Sequence, residues 1–188
     1  MGFTIDIGSA APGFSLRGVD GKTHSLDDYA DKAAVVVVFT CNHCPTAIQY
    51  EDRLMALQKK YAPKGVQLIA VNPNETDGHP TDSFEHMIER AKQKGFNFPY
   101  LRDETQDVAR AYGAKRTPHA FLLDGDRAVV YEGRIDDNPG NPSAVGRRDL
   151  REAIDEVLAG KPVTVTNTQS IGCNVKWWGK DAHWMPEQ

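Results

Sequence analysis

The sequence predicts an α/β domain, a central mixed β-sheet flanked by helices. Three observations carry this reading. Residues 33–40 form a β-branched apolar run without alternation, the pattern of a central strand covered on both faces. Residues 66–71 form a second such run, with an amphipathic segment of helical period between the two. That order makes a β-α-β unit, whose strands should run parallel with a right-handed crossover. Further on, residues 119–123 and 128–131 flank the turn Asp124-Gly125-Asp126 and read as an antiparallel pair.

The elements follow in order. In residues 8–32, Asp20-Gly21 signals a β-hairpin between short extended pieces. Ser25 and Asp28 have capping-box spacing for one helical turn. After the first core strand, Pro45 suits the first helical position, where its missing N–H costs nothing. Ile48 and Met55, with Ala47, Leu54 and Tyr61, recur at helical spacing, and Glu51, Arg53, Gln58 and Lys59 between them should be the polar side. A loop over 72–80 leads to a helix with a Phe84, Met87, Ile88, Ala91 stripe, entered by an Asp82–Glu85 capping box and stopped by Gly95. Residues 98–101 read as a short strand and 104–112 as a short helix. Leu150, Ala153, Ile154, Val157 and Leu158 mark a last helix before Gly160 and Pro162. The expected division is one domain over residues 1–160 and an extended tail over 161–188, packed on the domain or on a partner subunit.

Composition narrows the function classes. The 188 residues suffice for one domain with a real core, and 40% hydrophobic with 26% charged residues is ordinary globular usage. A net charge of −4 without a basic block argues against nucleic acid as a partner. The longest apolar run is seven residues, against roughly 20 needed to cross a bilayer, so no membrane span is expected. No secretory signal is read at the N-terminus. Three cysteines are too few to staple a secreted fold and leave one thiol over, so a reducing, cytoplasmic setting is expected.

The chemistry centres on Thr40-Cys41-Asn42-His43-Cys44-Pro45, where a strand becomes a helix. Two thiols two residues apart can hold or release a disulfide. The attacking species is the thiolate. The unpaired N–H groups and dipole at the start of the Pro45 helix favour it, and His43 can add a positive charge or a hydrogen bond. In the usual geometry of such a turn the first thiol is the more exposed. Cys41 is therefore expected as nucleophile and Cys44 as resolving thiol, with Thr40, Asn42, His43 and Pro45 tuning them. The site needs no cofactor beyond a Cys41–Cys44 disulfide. Zinc is disfavoured because no second ligand pair stands at usable spacing. A copper-type module would draw on Cys41, Cys44 and a loop histidine such as His79. His86, His119 and His183 form no constellation. Cys173 could be a buried apolar residue, a third redox thiol, a metal ligand or a bridge to a twin subunit.

These residues, with Ala11-Pro12-Gly13-Phe14-Ser15-Leu16, Asp20-Gly21-Lys22 and Thr117-Pro118, resemble the thioredoxin-like redoxin group. That group includes the alkyl hydroperoxide reductase/thiol-specific antioxidant proteins and the cytochrome-maturation thiol-disulfide oxidoreductases. The resemblance covers residues 8–160. It implies a thioredoxin-like fold with an N-terminal hairpin and a central insertion, redox-active Cys41 and Cys44, and a thiol or disulfide substrate with an electron donor or acceptor. It also implies a cis Thr117-Pro118 bond, with Thr117 backbone groups open to a substrate chain. The segment Gly172-Cys173-Asn174-Val175-Lys176-Trp177 resembles the tail of a cytosolic branch of this group. His43 resembles the second intervening residue of protein disulfide isomerases and points to an oxidising poise. Cys44-Pro45-Thr46 resembles the peroxidatic site of peroxiredoxins, which carry Thr where this chain has Cys41. An antioxidant peroxidase through Cys44, with Arg134 as a possible cation, is the alternative. A homodimer joined through the aromatic tail is a further expectation.

Overall fold

The computed structural model describes residues 4–180; His183 and Trp184 lie outside the described residues. Among the described residues seven strands form one mixed sheet, in the order β2-β1-β5-β4-β3-β7-β8. Its centre is β3 (Ala34–Phe39), every residue of which is buried, as the unbroken apolar run requires. β3 pairs in parallel with β4 (Val66–Asn72) and antiparallel with β7 (His119–Leu123). β8 (Val129–Gly133) closes one edge against β7. At the other side, β5 (Tyr100–Arg102) runs parallel to β4 and then accepts β1 (Ser15–Gly18) of the N-terminal hairpin, whose second strand is β2 (Thr23–Ser25). The central insertion therefore does more than extend a loop: its strand joins the hairpin to the core sheet.

The strict alternation of β3 divides the core. Val36 and Val38 face one side with Leu68, Ala70, Ala120 and Leu122. Helices α1 (Pro45–Tyr61) and α4 (Asp149–Leu158) cover that side with Tyr50, Leu54, Leu57, Leu150 and Ile154. Val35, Val37 and Phe39 face the other side, covered by Val108, Ala109 and Tyr112 of α3 (Asp107–Tyr112) and by Val175 and Trp177 of the tail. The tail is thus part of the core of its own chain. It returns by a parallel bridge between Glu132 and Asn167 and then forms β9 (Cys173–Asn174), which pairs antiparallel with β6 (Arg116–Thr117).

Several expectations change. Ile48 is 38% exposed and Glu51 and Gln58 of α1 are buried, because each polar group has a partner that periodicity alone does not reveal. Glu51 receives a bidentate ion pair from Arg90 of α2 (Phe84–Lys94). The Gln58 amide donates to the Val66 carbonyl at 3.2 Å and its carbonyl accepts the Leu68 N–H at 2.6 Å, clamping α1 onto β4. Ile88 is 40% exposed, so the α2 stripe is narrower than its spacing suggests. The cap of α2 is Ser83, which accepts the His86 N–H at 3.3 Å, not Asp82. α3 begins at Asp107 rather than at 104, because Gln106 at its cap has φ 67°. Gly95 at φ 67° and Gly160 at φ 69° end α2 and α4 as expected.

Replacing Gln58 by Ala should orphan a buried carbonyl and a buried N–H. The expected loss is about 1–3 kcal/mol, read as a lower urea midpoint at unchanged slope. A midpoint within error of the parent would show that the clamp carries no stability.

Candidate thiol redox site

Cys44 is the N-cap of α1, and its carbonyl accepts the first helical bond, from Ile48 N–H at 3.0 Å. Pro45 follows at the first helical position. Cys41 begins the loop that leaves β3, whose path is fixed by the Thr40 N–H donating to the Val71 carbonyl at 2.8 Å. Both thiols face Thr117, the residue before the cis Thr117-Pro118 bond. The Cys44 thiol donates to the Thr117 carbonyl at 3.3 Å, and Cys41 Sγ lies 3.3 Å from the Thr117 hydroxyl. All three cysteines are free thiols.

Cys41 is the less buried of the two thiols, in the order the turn suggested, but both are buried: Cys41 is 3% exposed and Cys44 0%. Cys41 nevertheless lines a narrow crevice with Thr40, Asn42, Leu54, Phe98 and Tyr100, which Cys44 does not reach. The charge is also distributed differently. Cys44 is held far below the ordinary thiol range by a hydrogen bond from Cys41, aided by Cys173 and the Ala47 N–H, against the cost of burial. Burial pushes Cys41 well up, with its bond to Cys44 and the nearby Asp82 charge acting the same way. Cys44, at the helix start, is therefore the sulfur that ionises first, and it gives up its donation to the Thr117 carbonyl as it does so.

Asp82 is the residue that the sequence did not point to, because its spacing to Glu85 read as a helix cap. It is fully buried below the turn. Its carboxylate accepts the Asn42 N–H at 2.6 Å, Asn72 Nδ2 at 3.2 Å and Asn74 Nδ2 at 3.0 Å, and pairs with His43 Nδ1. Burial pushes its carboxyl up, but the bonds from His43, Asn74 and Asn42 outweigh this and hold it below the usual carboxylate range. Asn42 is pinned further by Tyr100, whose hydroxyl donates to Oδ1 at 2.8 Å. His43 is thus partnered by a buried carboxylate, and any charge on it is largely neutralised locally rather than delivered to the thiols.

Cys41 Sγ, a His43 ring nitrogen and an Asp82 oxygen lie within 4.8 Å of one another. They suit a metal poorly, because four protein donors already occupy the Asp82 carboxylate. His79 does not join them as a ligand: it stacks on His43 at 4.8 Å with its Nδ1 on Glu75. Arg134 is not brought to the thiols either. Its Nε donates to Asp149 at 2.7 Å, at the start of α4. His86 is exposed, whereas His119 is buried, with Nε2 2.6 Å from Glu132 and Nδ1 accepting the Lys115 N–H. The Thr117 edge is not open to a substrate chain, because Cys173 pairs with it.

Two predictions follow from these charges. Reduced protein should show a thiolate absorbance that persists far below the ordinary thiol pKa of about 8.5 and vanishes in Cys44→Ser; loss in Cys41→Ser alone would reverse the assignment. Asp82→Asn should cost about 1–3 kcal/mol at neutral pH by leaving donors poorly paired. A depressed carboxyl stabilises the fold above its unfolded pKa, and that contribution is lost as pH falls through the lower folded value. The difference between parent and variant, followed by denaturation against pH, should therefore shrink in acid.

Comparison with known proteins agrees with this geometry. The Redoxin family model matches residues 6–148. The thiol-disulfide oxidoreductase ResA of Geobacillus thermodenitrificans is 32% identical over 127 residues, covering 66% of this chain and 67% of its own. A solved, uncharacterized conserved protein from Geobacillus kaustophilus is 42% identical with a TM-score of 0.88, covering 94% of both chains. A putative thiol:disulfide interchange protein DsbE from Chlorobium tepidum is 25% identical with a TM-score of 0.62, covering 84% of this chain and 98% of that one. The chain belongs to the Redoxin family and is a thiol-disulfide oxidoreductase of thioredoxin-like fold, acting on thiols and disulfides.

Proposed function

We propose that Cys41 attacks a substrate disulfide and that Cys44 resolves the mixed disulfide. The observation that carries this assignment is access: Cys41 lines the crevice, while Cys44 is fully buried behind it at the start of α1. As the Cys41 sulfur attacks, its proton passes to the Cys44 thiolate and the first substrate thiolate leaves. Cys44 then attacks the Cys41 sulfur, a Cys41–Cys44 disulfide forms, and the second substrate thiol leaves with the proton. One disulfide is consumed and one is made. Asn42, His43 and Asp82 hold the turn rigid between the two steps, Pro45 starts the helix whose N–H groups face Cys44, and Thr117 with Pro118 forms the wall behind the sulfurs.

The stabilised Cys44 thiolate favours the reduced protein and so an oxidising disulfide. The cytoplasmic setting rests on the small and odd number of cysteines. No helix of the described residues is long and apolar enough to cross a membrane. The substrate is a protein or small-molecule disulfide, and a second thiol or disulfide partner restores the site.

A peroxidase acting through Cys44 finds less support. Its sulfur is fully buried, Cys41 replaces the expected threonine, and Arg134 is committed to Asp149. Cys41→Ser should abolish reduction of a model disulfide, and retained full turnover would sink the assignment. Mixing reduced protein with hydrogen peroxide should oxidise it slowly; fast consumption, lost in Cys44→Ser and kept in Cys41→Ser, would favour the peroxidase.

A further inference from the structure

Three sulfurs, not two, converge on Thr117. Cys44 donates to its carbonyl, Cys41 meets its hydroxyl, and Cys173 is its direct cross-strand partner in the β6–β9 pair. Cys173 packs on the small cluster formed by Cys41, Cys44 and Ala47. It is half-buried, so it has both a contact with the buried pair and access to solvent.

The tail that carries it is built to stay there. Gly172 lies so close to β6 that a Cβ would stand 2.1 Å from the Thr117 carbonyl, so only glycine allows the approach. Beyond β9, the Val175 N–H donates to the Lys115 carbonyl at 3.1 Å and the Lys176 N–H to Asn74 Oδ1 at 2.9 Å. Arg116 donates to the Gly172 carbonyl and to Asn174 Oδ1, at 3.1 and 3.0 Å. Val175 and Trp177 anchor the segment in the core. A solvated end would need none of this. The edge beside the redox pair is held by a strand of the same chain, with a cysteine at the position facing Thr117.

We infer that Cys173 is a third redox thiol, and that β9 acts as a built-in substrate strand which takes the disulfide from Cys41–Cys44 as a Cys44–Cys173 bond. The inference rests on the exchange chemistry proposed above. In the step, the Cys173 sulfur attacks Cys44 of the Cys41–Cys44 disulfide. The Cys44–Cys173 bond forms, the Cys41–Cys44 bond breaks, and the Cys173 proton passes to the departing Cys41. One disulfide is exchanged for another, so no outside oxidant or reductant is needed. The result frees Cys41 at its crevice and moves the oxidised bond towards a half-buried sulfur, where a reducing thiol reaches it. Cys44, the shared member of both disulfides, is also the sulfur on which donors from Cys41 and Cys173 meet.

Oxidised protein holds one disulfide and one free thiol, so the position of the free thiol reads the answer. The full chain is oxidised with one equivalent of a model disulfide, quenched in acid, alkylated under denaturing conditions and mapped by mass spectrometry. Label on Cys41 is expected, at least about tenfold above that in oxidised Cys173→Ser. Label confined to Cys173 or to Cys44 overturns the inference while leaving the exchange reading intact. Label on all three cysteines means that the model disulfide was not reduced, and it counts against the exchange reading itself. The relay bond is then tested directly in Cys41→Ser treated with stoichiometric diamide. Loss of both thiols within the monomer supports the inference, and two titratable thiols overturn it. Gly172→Ala, which lifts β9 from Thr117, should lower the yield of that bond.

Discussion

Everything in the site leans on the backbone and hydroxyl of Thr117. A thiol in a protein interior needs partners, and here one residue supplies them to two sulfurs at 3.3 Å each. The same residue pairs with the tail strand, so its edge is closed. The position is dictated by what lies next to it. β7 begins at His119 and is locked across β3, placing Thr117 directly over the loop that leaves Phe39. The site is therefore assembled by sheet register: moving β7 by one residue would flip its side chains and carry Thr117 away from the thiols.

The second organising element is a contest of charges over the turn. The thiol donors and the helix start draw the anion to Cys44, while burial, with the Cys44 bond and the Asp82 charge acting the same way, keeps it off Cys41. His43 sits between these tendencies with its Nδ1 on the carboxylate, stacked against His79, which in turn is held by Glu75. The histidine inside the CxxC is thus a bridge between the turn and the central insertion rather than an isolated cation. The insertion contributes Asp82, Asn74 and Tyr100, which meet Asn72 at the end of β4, and this explains why its strand and loops are tied so closely into the main sheet.

Much of this architecture is legible in the residues. Unbroken β-branched runs mark β3 and β4 because strands covered on both faces carry no polar alternation, and Asp20-Gly21 and Gly95 mark chain reversals that other residues resist. Polar residues on helices were the weaker signal. Glu51 and Gln58 read as solvated, yet Arg90 and the β4 backbone bury them, and Asp82 read as a cap while it serves the turn at Asn42 and His43. Such assignments fail because a polar side chain goes inside whenever a distant partner satisfies it, and that partner is invisible in local spacing.

Local pattern alone is enough to read the strand-helix-strand order, the pair Cys41 and Cys44 at the head of a helix, and the family to which both belong. Periodicity, turn chemistry and thiol spacing are local properties of the chain. Packing was needed to see which sulfur ionises first, that Asp82 pairs with His43, that Arg134 serves Asp149, and that Cys173 closes the Thr117 edge. These depend on groups from separate elements meeting where little water screens them, and electrostatics there follows distance in space rather than distance along the chain.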